Sequence, residues 1–411
     1  MAVALHLAVT ASVWADPARG LTSPDSAEYL TIANNLAAGH GFSQSSAPPY
    51  APDLRRTPVY PGILAALFHI TGSSVRAAIA LNTCLGLLTI ALVSTWMARH
   101  WGTRAGAAAG WLLATDPASL TYHHLVLSET TFALLLVSAV VLLAGGGRTR
   151  WLIAAAAGAT LGISALCRPI GLYLALALLP AFGLDRGRRP WPQRIRSYVI
   201  LNLVCATVLG VWVLRNAAVF GAPVLTSQGS VNLYFHRAAY VEAAIEGTEV
   251  DVVRERWTRE MDARGAGWTD ADRAAWLSTN GRAIVAAHPF IYARVYAVAL
   301  AKMFAPERDE VFSLLGVPPA SGLGRAILGI TWVQLACFYG CVVLGAARMF
   351  RGGPAQGLLA IAATVVAYFV VISGPEVYAR FRMPLMPVLA LVGAFAFVPV
   401  VRIRGLVPAE S

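Results

Sequence analysis

A polar stretch at residues 23–43, SPDSAEYLTIANNLAAGHGFS, places two carboxylates, Asp25 and Glu28, directly after a short apolar opening. A carboxylate held beside a membrane can take the proton from an attacking hydroxyl group and so act as a general base. Ser23 could cap a helix that begins here, and Asp25 in the first turn of that helix would complement its dipole. The pattern therefore fits a catalytic base and a helix-capping role equally well.

Arginines recur near prolines in three other stretches: RRTPVYPGILAALF at 55–68, ALCRPIGL at 165–172 and GPEVYARFRMPLMPV at 374–388. The guanidinium fork binds phosphate oxygens in a bidentate manner. An arginine near membrane depth is costly and usually marks function, although headgroup anchoring and snorkelling are the ordinary alternatives. The side chains concerned are Arg55, Arg56, Tyr60, Arg168, Arg380 and Arg382. Such a set would suit an anionic lipid substrate.

A further stretch, TDPASLTYHHLVLSETTF at 115–132, combines carboxylates with imidazoles: Asp116, His123, His124 and Glu129. Together these groups could bind a metal ion or relay a proton. The spacing contains no helical i,i+4 ligand pair, however, and neighbouring histidines point to different faces of a helix. We therefore predict no metal site and no certain cofactor. A divalent cation stays open as a cofactor because several acids gather in these stretches.

The composition is that of a membrane protein. Of the 411 residues, 57% are hydrophobic and 13% are charged, whereas soluble domains carry about a quarter charged residues. Several apolar runs approach or exceed the roughly 18–20 residues that cross a bilayer as a helix. The net charge of +11 lies mainly in short connections between these runs, so we predict no nucleic-acid partner. The predicted fold class is an all-α polytopic membrane protein.

Ten apolar runs predict about ten transmembrane helices. They lie near 1–15, 77–98, 105–122, 127–144, 151–167, 169–184, 197–215, 325–348, 356–373 and 383–401. The arginine-rich connections, placed in the cytoplasm, are 98–104, 145–150, 185–196, 347–353 and 401–405. Residues 16–76, 116–128, 216–324 and 374–382 then lie outside, as does the break at Arg168–Pro169. All of the candidate side chains are therefore predicted on the external face.

This topology divides the chain into three regions. Residues 1–215 form an N-terminal transmembrane module with a first external loop at 16–76. Residues 216–324 form an external helical region, in which 236–263 and 270–287 are charged and helix-prone. Its last part, 288–307, predicts an amphipathic helix lying in the membrane interface. Residues 325–411 supply the C-terminal transmembrane helices and a short cytoplasmic tail.

The quoted stretches, with LSETTFALLL and RNAAVFGAPVLTS, occur in an order that resembles one superfamily. The chain is similar to the GT-C glycosyltransferases that use polyprenyl-phosphate sugars, among them protein O-mannosyltransferases and the lipid A aminoarabinose transferase. It looks most like the glycosyltransferase-39-like group. The resemblance covers residues 20–230 and, more weakly, 370–400. It implies a GT-C-type bundle with external amphipathic helices beside the membrane.

The resemblance also implies an inverting transfer of a monosaccharide from a polyprenyl-phosphate donor at the external face of the cell membrane. The family's base in the first loop falls on Asp25, and arginines would stabilise the departing lipid phosphate. A second acid would be Glu28 or Asp53, or neither. The implied substrate-binding residues are Arg168, Arg56, Arg382, Arg55, Tyr60, Glu129, Glu28, Asp116 and Arg380. Membrane lipids are expected partners, and the acceptor could be a glycan, a lipid or a protein.

Three alternatives remain open at this point. A ligase or polymerase of lipid-linked glycans would use arginines of a late external loop, for which Arg237, Arg254 and Arg256 are available. A flippase or transporter would carry charges near the bilayer midplane and internal repeats, and we detect no repeat. The chain could also be a non-catalytic partner subunit. The early position of Asp25 favours the glycosyltransferase.

Overall fold

The computed structural model describes residues 2–145, 150–183, 190–351 and 355–399. Within these ranges the chain is helical and forms no β-strand, apart from one antiparallel bridge between Ser43 and Pro52. The predicted all-α class is thereby confirmed. Of the arginine-rich connections, 401–405 lies outside the described residues, and 145–150, 185–196 and 347–353 do so in part.

Eleven α-helices occupy the described part of the chain up to Phe220. They are α1 (Ala2–Ala15), α2 (Pro24–Ala37), α3 (Val59–Thr71), α4 (Val75–Trp101), α5 (Thr103–Ala114), α6 (Pro117–Tyr122), α7 (Glu129–Gly145), α8 (Arg150–Cys167), α9 (Leu174–Ala177), α10 (Leu179–Gly183) and α11 (Trp191–Phe220). Short 3₁₀ turns at Pro17–Gly20 and Pro169–Gly171 lie between them.

The remaining described helices are α12 (Gln228–Val231), α13 (Ala239–Glu246), α14 (Val250–Arg264), α15 (Asp270–Ala287), α16 (Pro289–Phe304), α17 (Asp309–Leu315), α18 (Gly322–Phe350), α19 (Gln356–Ile372), α20 (Ala379–Arg382) and α21 (Met386–Gly393). A π-helical turn at Asn232–Ala238 joins α12 to α13. Two 3₁₀ turns, Met383–Leu385 and Ala394–Phe397, extend α20 and α21 into one apolar rod.

Five described segments are long and apolar enough to cross a membrane: Val75–Trp101, Arg150–Cys167, Trp191–Phe220, Gly322–Phe350 and Ala379–Phe397. Shorter apolar helices lie at His6–Ala15, Val59–Thr71, Glu129–Gly145, Pro169–Gly183 and Gln356–Ile372. The chain is therefore a multi-pass membrane protein. The number of about ten spans stays a prediction, because the shorter helices hold only 10–17 residues each.

The predicted single helix over 105–122 is wrong, because the chain breaks there into α5 and α6. Pro117 at the first position of α6 has no N–H with which to continue α5. The side chain of Asp116 instead accepts a hydrogen bond from the backbone N–H of Ser119, at 2.7 Å, and starts a new helix.

The helices predicted within residues 216–324 are present, and α15 meets the following helical segment, Pro289–Leu315, at an angle of 96°. Pro289 occupies the first turn of α16, so the bend falls where the helical hydrogen bonding is interrupted. The interfacial position of this segment stays a prediction. Residues of α13, α14, α15 and the π-helical turn surround a small apolar core of their own, with Trp257 and Leu277 at its centre.

Small residues bring the transmembrane helices together. Gly158 and Gly162 of α8 lie against α11, where a Cβ added at Gly158 would overlap the carbonyl oxygen of Leu201. In a membrane, close backbone contact of this kind takes the place of hydrophobic exclusion as the force that associates helices. Gly210 of α11, in contrast, has open space around its Cα.

Gly158→Ala should therefore lower the temperature of thermal unfolding in detergent, because the added methyl group has to push α8 and α11 apart. Overpacking of this kind costs about 1–3 kcal/mol. Gly210→Ala is the matched control, and alanine in a helix should leave stability unchanged or raise it by up to about 1 kcal/mol. Equal unfolding temperatures for the two variants would contradict the close contact.

Candidate active site

Helix α2 positions the two acids of the loop between α1 and α4, Asp25 and Glu28. Pro24 fits the first helical position, and the hydroxyl of Ser23 accepts a hydrogen bond from the backbone N–H of Asp25 at 3.4 Å. Ser23 therefore supplies the cap, while the carboxylate of Asp25 points elsewhere. Glu28 follows one turn later, so both acids lie on the same face of α2.

Asp25 bridges two arginines that come from distant parts of the chain. Its Oδ1 accepts a hydrogen bond from Arg56 Nη2 at 2.5 Å, and its Oδ2 accepts one from Arg380 Nη2 at 2.6 Å. The side chain of Asp25 keeps 26% of its surface exposed, whereas both arginine side chains keep only 10%. Of these three charged side chains, Asp25 is therefore the one most accessible to a ligand.

Glu28 extends the cluster towards the other arginine of the first loop. Its Oε2 accepts a hydrogen bond from Arg56 Nε at 2.6 Å, and its Oε1 lies 3.2 Å from Arg55 Nη1. Arg56 therefore bonds both acids of α2, and its guanidinium carbon also lies 5.0 Å from the ring centre of Tyr29. These partners fix the plane of the guanidinium.

Glu129, at the first position of α7, contributes a third carboxylate to the same group of side chains. It is fully buried and pairs with both Arg168 and Arg380. Arg168 sits at the break between α8 and the 3₁₀ turn at Pro169, and its Nη1 also donates to the Ser128 hydroxyl at 3.3 Å. That hydroxyl shares a 3.0 Å hydrogen bond with Tyr29.

The structure thus brings together seven of the ten predicted site residues. They are Asp25, Glu28, Arg55, Arg56, Glu129, Arg168 and Arg380. Four guanidinium groups face three carboxylates, which leaves the cluster with one net positive charge. We call these seven side chains the arginine–carboxylate cluster. An anion could bind here by taking over guanidinium groups that the carboxylates now share.

The electrostatics of Asp25 are dominated by its two arginines. Burial alone would raise the pKa of Asp25, but the charges of Arg380 and Arg56 and their hydrogen bonds outweigh this effect and hold it well below its usual range. Asp25 is therefore ionised at any physiological pH, as a base must be. With both arginines attached it is also a weak base, and drawing either guanidinium away would raise its pKa.

The other three predicted residues lie outside the cluster. Arg382 is fully buried, and its Nη1 donates to the carbonyls of Met303 and Ala305, at 3.2 and 2.5 Å, at the C-terminal end of α16. Burial raises the pKa of the buried Asp116, and the charge of Arg382 partly offsets this effect. Tyr60 does not pair with the cluster but packs against Tyr29, with the two rings edge-on and their centres 4.9 Å apart.

The histidines of the 115–132 stretch are not near the cluster. His123 and His124 are buried against His6 of α1, with ring centres 5.5 and 5.6 Å from it. No group of three or more His, Cys, Asp or Glu side chains suited to a metal ion exists among the described residues. The carboxylates of the cluster all face guanidinium groups, so we derive no step through a metal. The open question of a divalent cation stays as the sequence left it.

Two acids near the cluster were missed by the sequence analysis. Tyr122 donates from its hydroxyl to Glu307 Oε2 at 3.0 Å, and Tyr378 donates to Glu310 Oε1 at 3.3 Å. Both acids belong to the short charged stretch APERDE, which follows α16. That concentration of charge after an amphipathic helix was a visible signal, although it did not indicate which element the acids would face.

Part of the chain matches one known family. Residues 55–213 match the family described as dolichyl-phosphate-mannose-protein mannosyltransferase. This matched segment contains Arg55, Arg56, Glu129 and Arg168. A sequence search of curated proteins finds no match.

Among solved structures, the fold is similar to the archaeal oligosaccharyltransferase AglB from Archaeoglobus fulgidus, in complex with an inhibitory peptide and a dolichol-phosphate. The TM-score is 0.52 at 16% identity, over 95% of this chain and 50% of AglB, so this chain spans about half the length of AglB. ArnT from Cupriavidus metallidurans, bound to undecaprenyl phosphate, matches with a TM-score of 0.46 at 16% identity, over 96% of this chain and 76% of ArnT. The family match and the shared fold confirm the predicted resemblance.

The two neighbouring arginines of α20 give a direct test of the site. On the prediction from the sequence that the donor is a polyprenyl-phosphate sugar, Arg380→Lys should weaken binding of undecaprenyl phosphate by about tenfold or more, because lysine keeps the charge but loses the planar fork. Arg382→Lys should leave that affinity unchanged and lower the unfolding temperature, because Arg382 holds the end of α16. Both quantities can be measured on purified protein in detergent. Equal loss of affinity in the two variants would contradict this assignment.

Proposed function

We propose that this chain is a GT-C-type membrane glycosyltransferase and that it transfers a monosaccharide from a polyprenyl-phosphate donor to an acceptor hydroxyl group with inversion. The observation that carries the proposal is the pairing of Asp25 with Arg56 and Arg380. It unites a partly exposed carboxylate with guanidinium groups that suit a phosphate.

The phosphate of the donor would bind to Arg380, Arg56 and Arg168. These arginines are largely buried and are already held by partners, so little conformational entropy is lost when they bind. The net positive charge of the cluster favours a lipid phosphate over a neutral headgroup. Positive charge fixed at the leaving phosphate stabilises the transition state, in which negative charge develops on that group.

The chemical step follows from this placement. The acceptor hydroxyl oxygen attacks the anomeric carbon on the side opposite the phosphate, and its proton passes to the carboxylate of Asp25. A new glycosidic C–O bond forms while the bond between the anomeric carbon and the phosphate oxygen breaks. The polyprenyl phosphate leaves with both electrons of that bond and remains paired with the arginines.

Binding of the donor would also activate the base. In the described arrangement each oxygen of Asp25 accepts a hydrogen bond from an arginine, which depresses its pKa. When the phosphate takes over part of Arg56 and Arg380, Asp25 loses stabilising charge and its basicity rises. The base would thus be strongest only when a donor is present. Glu28 and Glu129 would keep the arginines in place meanwhile.

The arginines that a glycan ligase would use have other partners. Arg237 donates to the carbonyl of Ile372 at 2.6 Å, Arg254 pairs with Asp251, and Arg256 pairs with Glu246. None of these three contacts involves the arginine–carboxylate cluster. The charges of the cluster sit at helix ends, where a transferase needs them, not along the middle of a span as in a transporter. We place the cluster on the external face of the cell membrane.

Asp25→Asn should abolish sugar transfer while leaving the protein folded. Removal of a general base costs typically 10²–10⁴-fold in rate. The measurement is transfer of radiolabelled sugar from membranes supplied with polyprenyl-phosphate monosaccharides, at matched expression. Asp16→Asn is the control, because Asp16 is an exposed acid of the same loop whose only described ion pair is with Arg19.

Normal transfer by Asp25→Asn would reduce Asp25 to a partner of the arginines and remove the proposed base. Transfer lost equally in Asp16→Asn would point to a general defect of the first loop. Failure of the wild-type protein to use any polyprenyl-phosphate monosaccharide would contradict the proposed donor.

A further inference from the structure

A cavity of about 570 Å³ lies between the first external loop and the external helices. Its volume is within the range of roughly 300–1,000 Å³ found for small-molecule sites. One wall is formed by residues of the first loop, including Gln44, Asp53 and Arg55. The other wall is formed by α12, α14, α15 and the π-helical turn. We propose that this cavity binds the acceptor and that the acceptor is an uncharged, polyhydroxylated glycan; this inference rests on the proposed function.

The position of the cavity connects it to the base. Arg55 lines the cavity, and its Nη1 lies 3.2 Å from Glu28 Oε1. Glu28 in turn sits one helical turn, about 5 Å, after Asp25 on the same face of α2. The side chains of Arg55 and Glu28 therefore separate this end of the cavity from the proposed base, and a glycan that extends past them would bring a hydroxyl group to Asp25.

The two walls are held together by hydrogen bonds that fix the shape of the cavity. Arg55 Nε donates to Gln228 Oε1 at 2.9 Å, and the backbone N–H of Ser227 donates to the carbonyl of Leu54 at 3.0 Å. The hydroxyl of Thr226 also donates to the carbonyl of Arg55. The external region is thus docked on the loop that adjoins the active site, which would let it select the acceptor.

The chemistry of the walls favours a neutral, hydroxyl-rich ligand. Two carboxylates, of Asp53 and Asp270, balance two guanidinium groups, of Arg55 and Arg273, so the cavity has no net charge to attract an ionic substrate. Flat polar side chains can bond adjacent hydroxyl groups through two atoms at once. Phe235 adds an aromatic surface against which the C–H face of a sugar ring can pack.

The wall of the cavity that α12, α14, α15 and the π-helical turn form, here called the outer wall, lies outside the segment that matches the family. The match to the mannosyltransferase family ends at residue 213, before every residue of the outer wall. The matched segment supplies Arg56 and Arg168 of the proposed donor site, while the helices that follow it supply the outer wall of the proposed acceptor site. A peptide acceptor is a separate possibility, and the experiment includes it as an outcome.

The test compares Arg273→Gln with Arg282→Gln in the full-length protein in nanodiscs. Both arginines belong to α15, but Arg273 lines the cavity and Arg282 is exposed and bonds back to the Ser278 carbonyl of its own helix. Binding of neutral mannose, glucose and arabinose oligosaccharides is measured by saturation-transfer NMR, and undecaprenyl phosphate binding is measured in parallel. Gln44→Ala changes the opposite wall of the cavity. A loss of binding in this variant cannot result from a folding defect confined to α15.

We expect at least one neutral oligosaccharide to bind to the wild-type protein and to Arg282→Gln. Arg273→Gln and Gln44→Ala should bind it about tenfold more weakly, with undecaprenyl phosphate affinity unchanged in all four proteins. Binding of no oligosaccharide, equal binding by all variants, or capture of serine- and threonine-containing peptides in their place would overturn the proposal. If the wild-type protein does not bind undecaprenyl phosphate, the proposed donor is contradicted. The oligosaccharide result still decides whether the cavity binds the acceptor.

Discussion

An ionised carboxylate in a largely apolar bundle is tolerated only if a cation reaches it, and this requirement organises the end of the molecule that holds the arginine–carboxylate cluster. Glu129 is fully buried, and removing one partner of a buried pair typically costs about 3–5 kcal/mol. Its partners, Arg168 and Arg380, come from the end of α8 and the start of α20. The ion pairs therefore connect the first loop to helices from the N-terminal and C-terminal parts of the chain.

The same interactions set the chemistry. Arginines that neutralise carboxylates in the resting protein are the groups that a phosphate would recruit, so the site is formed before the donor arrives. Asp25 is held ionised by charges that also weaken it as a base. An anionic donor would relieve this competition, which links the binding of one substrate to the activation of the group that acts on the other.

Much of the fold and most residues of the arginine–carboxylate cluster could be predicted from the sequence, for physical reasons. Long apolar runs predict helices in a membrane, and the Ser23–Pro24 start of α2 is a local signal that the structure follows. The residues of the cluster were also predicted, because charges in such a chain are rare. Which of Arg380 and Arg382 joins the cluster was not predictable, since residues two apart on a helix point in different directions and only packing selects one.

Long-range packing explains the other differences as well. The 115–132 stretch looked like one group of acids and imidazoles, but it spans a helix break, and its members separate. Glu129 joins the arginines, Asp116 starts α6, and the histidines pack on His6. Nothing in the local spacing indicated this separation. Likewise, the cavity depends on α15 meeting the first loop more than 200 residues away along the chain.

The central claim is that Asp25 and the donor phosphate compete for Arg56 and Arg380. The most direct measurement is the affinity of purified wild-type protein and Asp25→Asn for undecaprenyl phosphate, which lacks a sugar and cannot react. We expect the Asn variant to bind the lipid at least as tightly as wild type, because a competing anion has been removed while both arginines remain. A loss of affinity of tenfold or more would contradict the account, because Asp25 would then be needed to build the phosphate site.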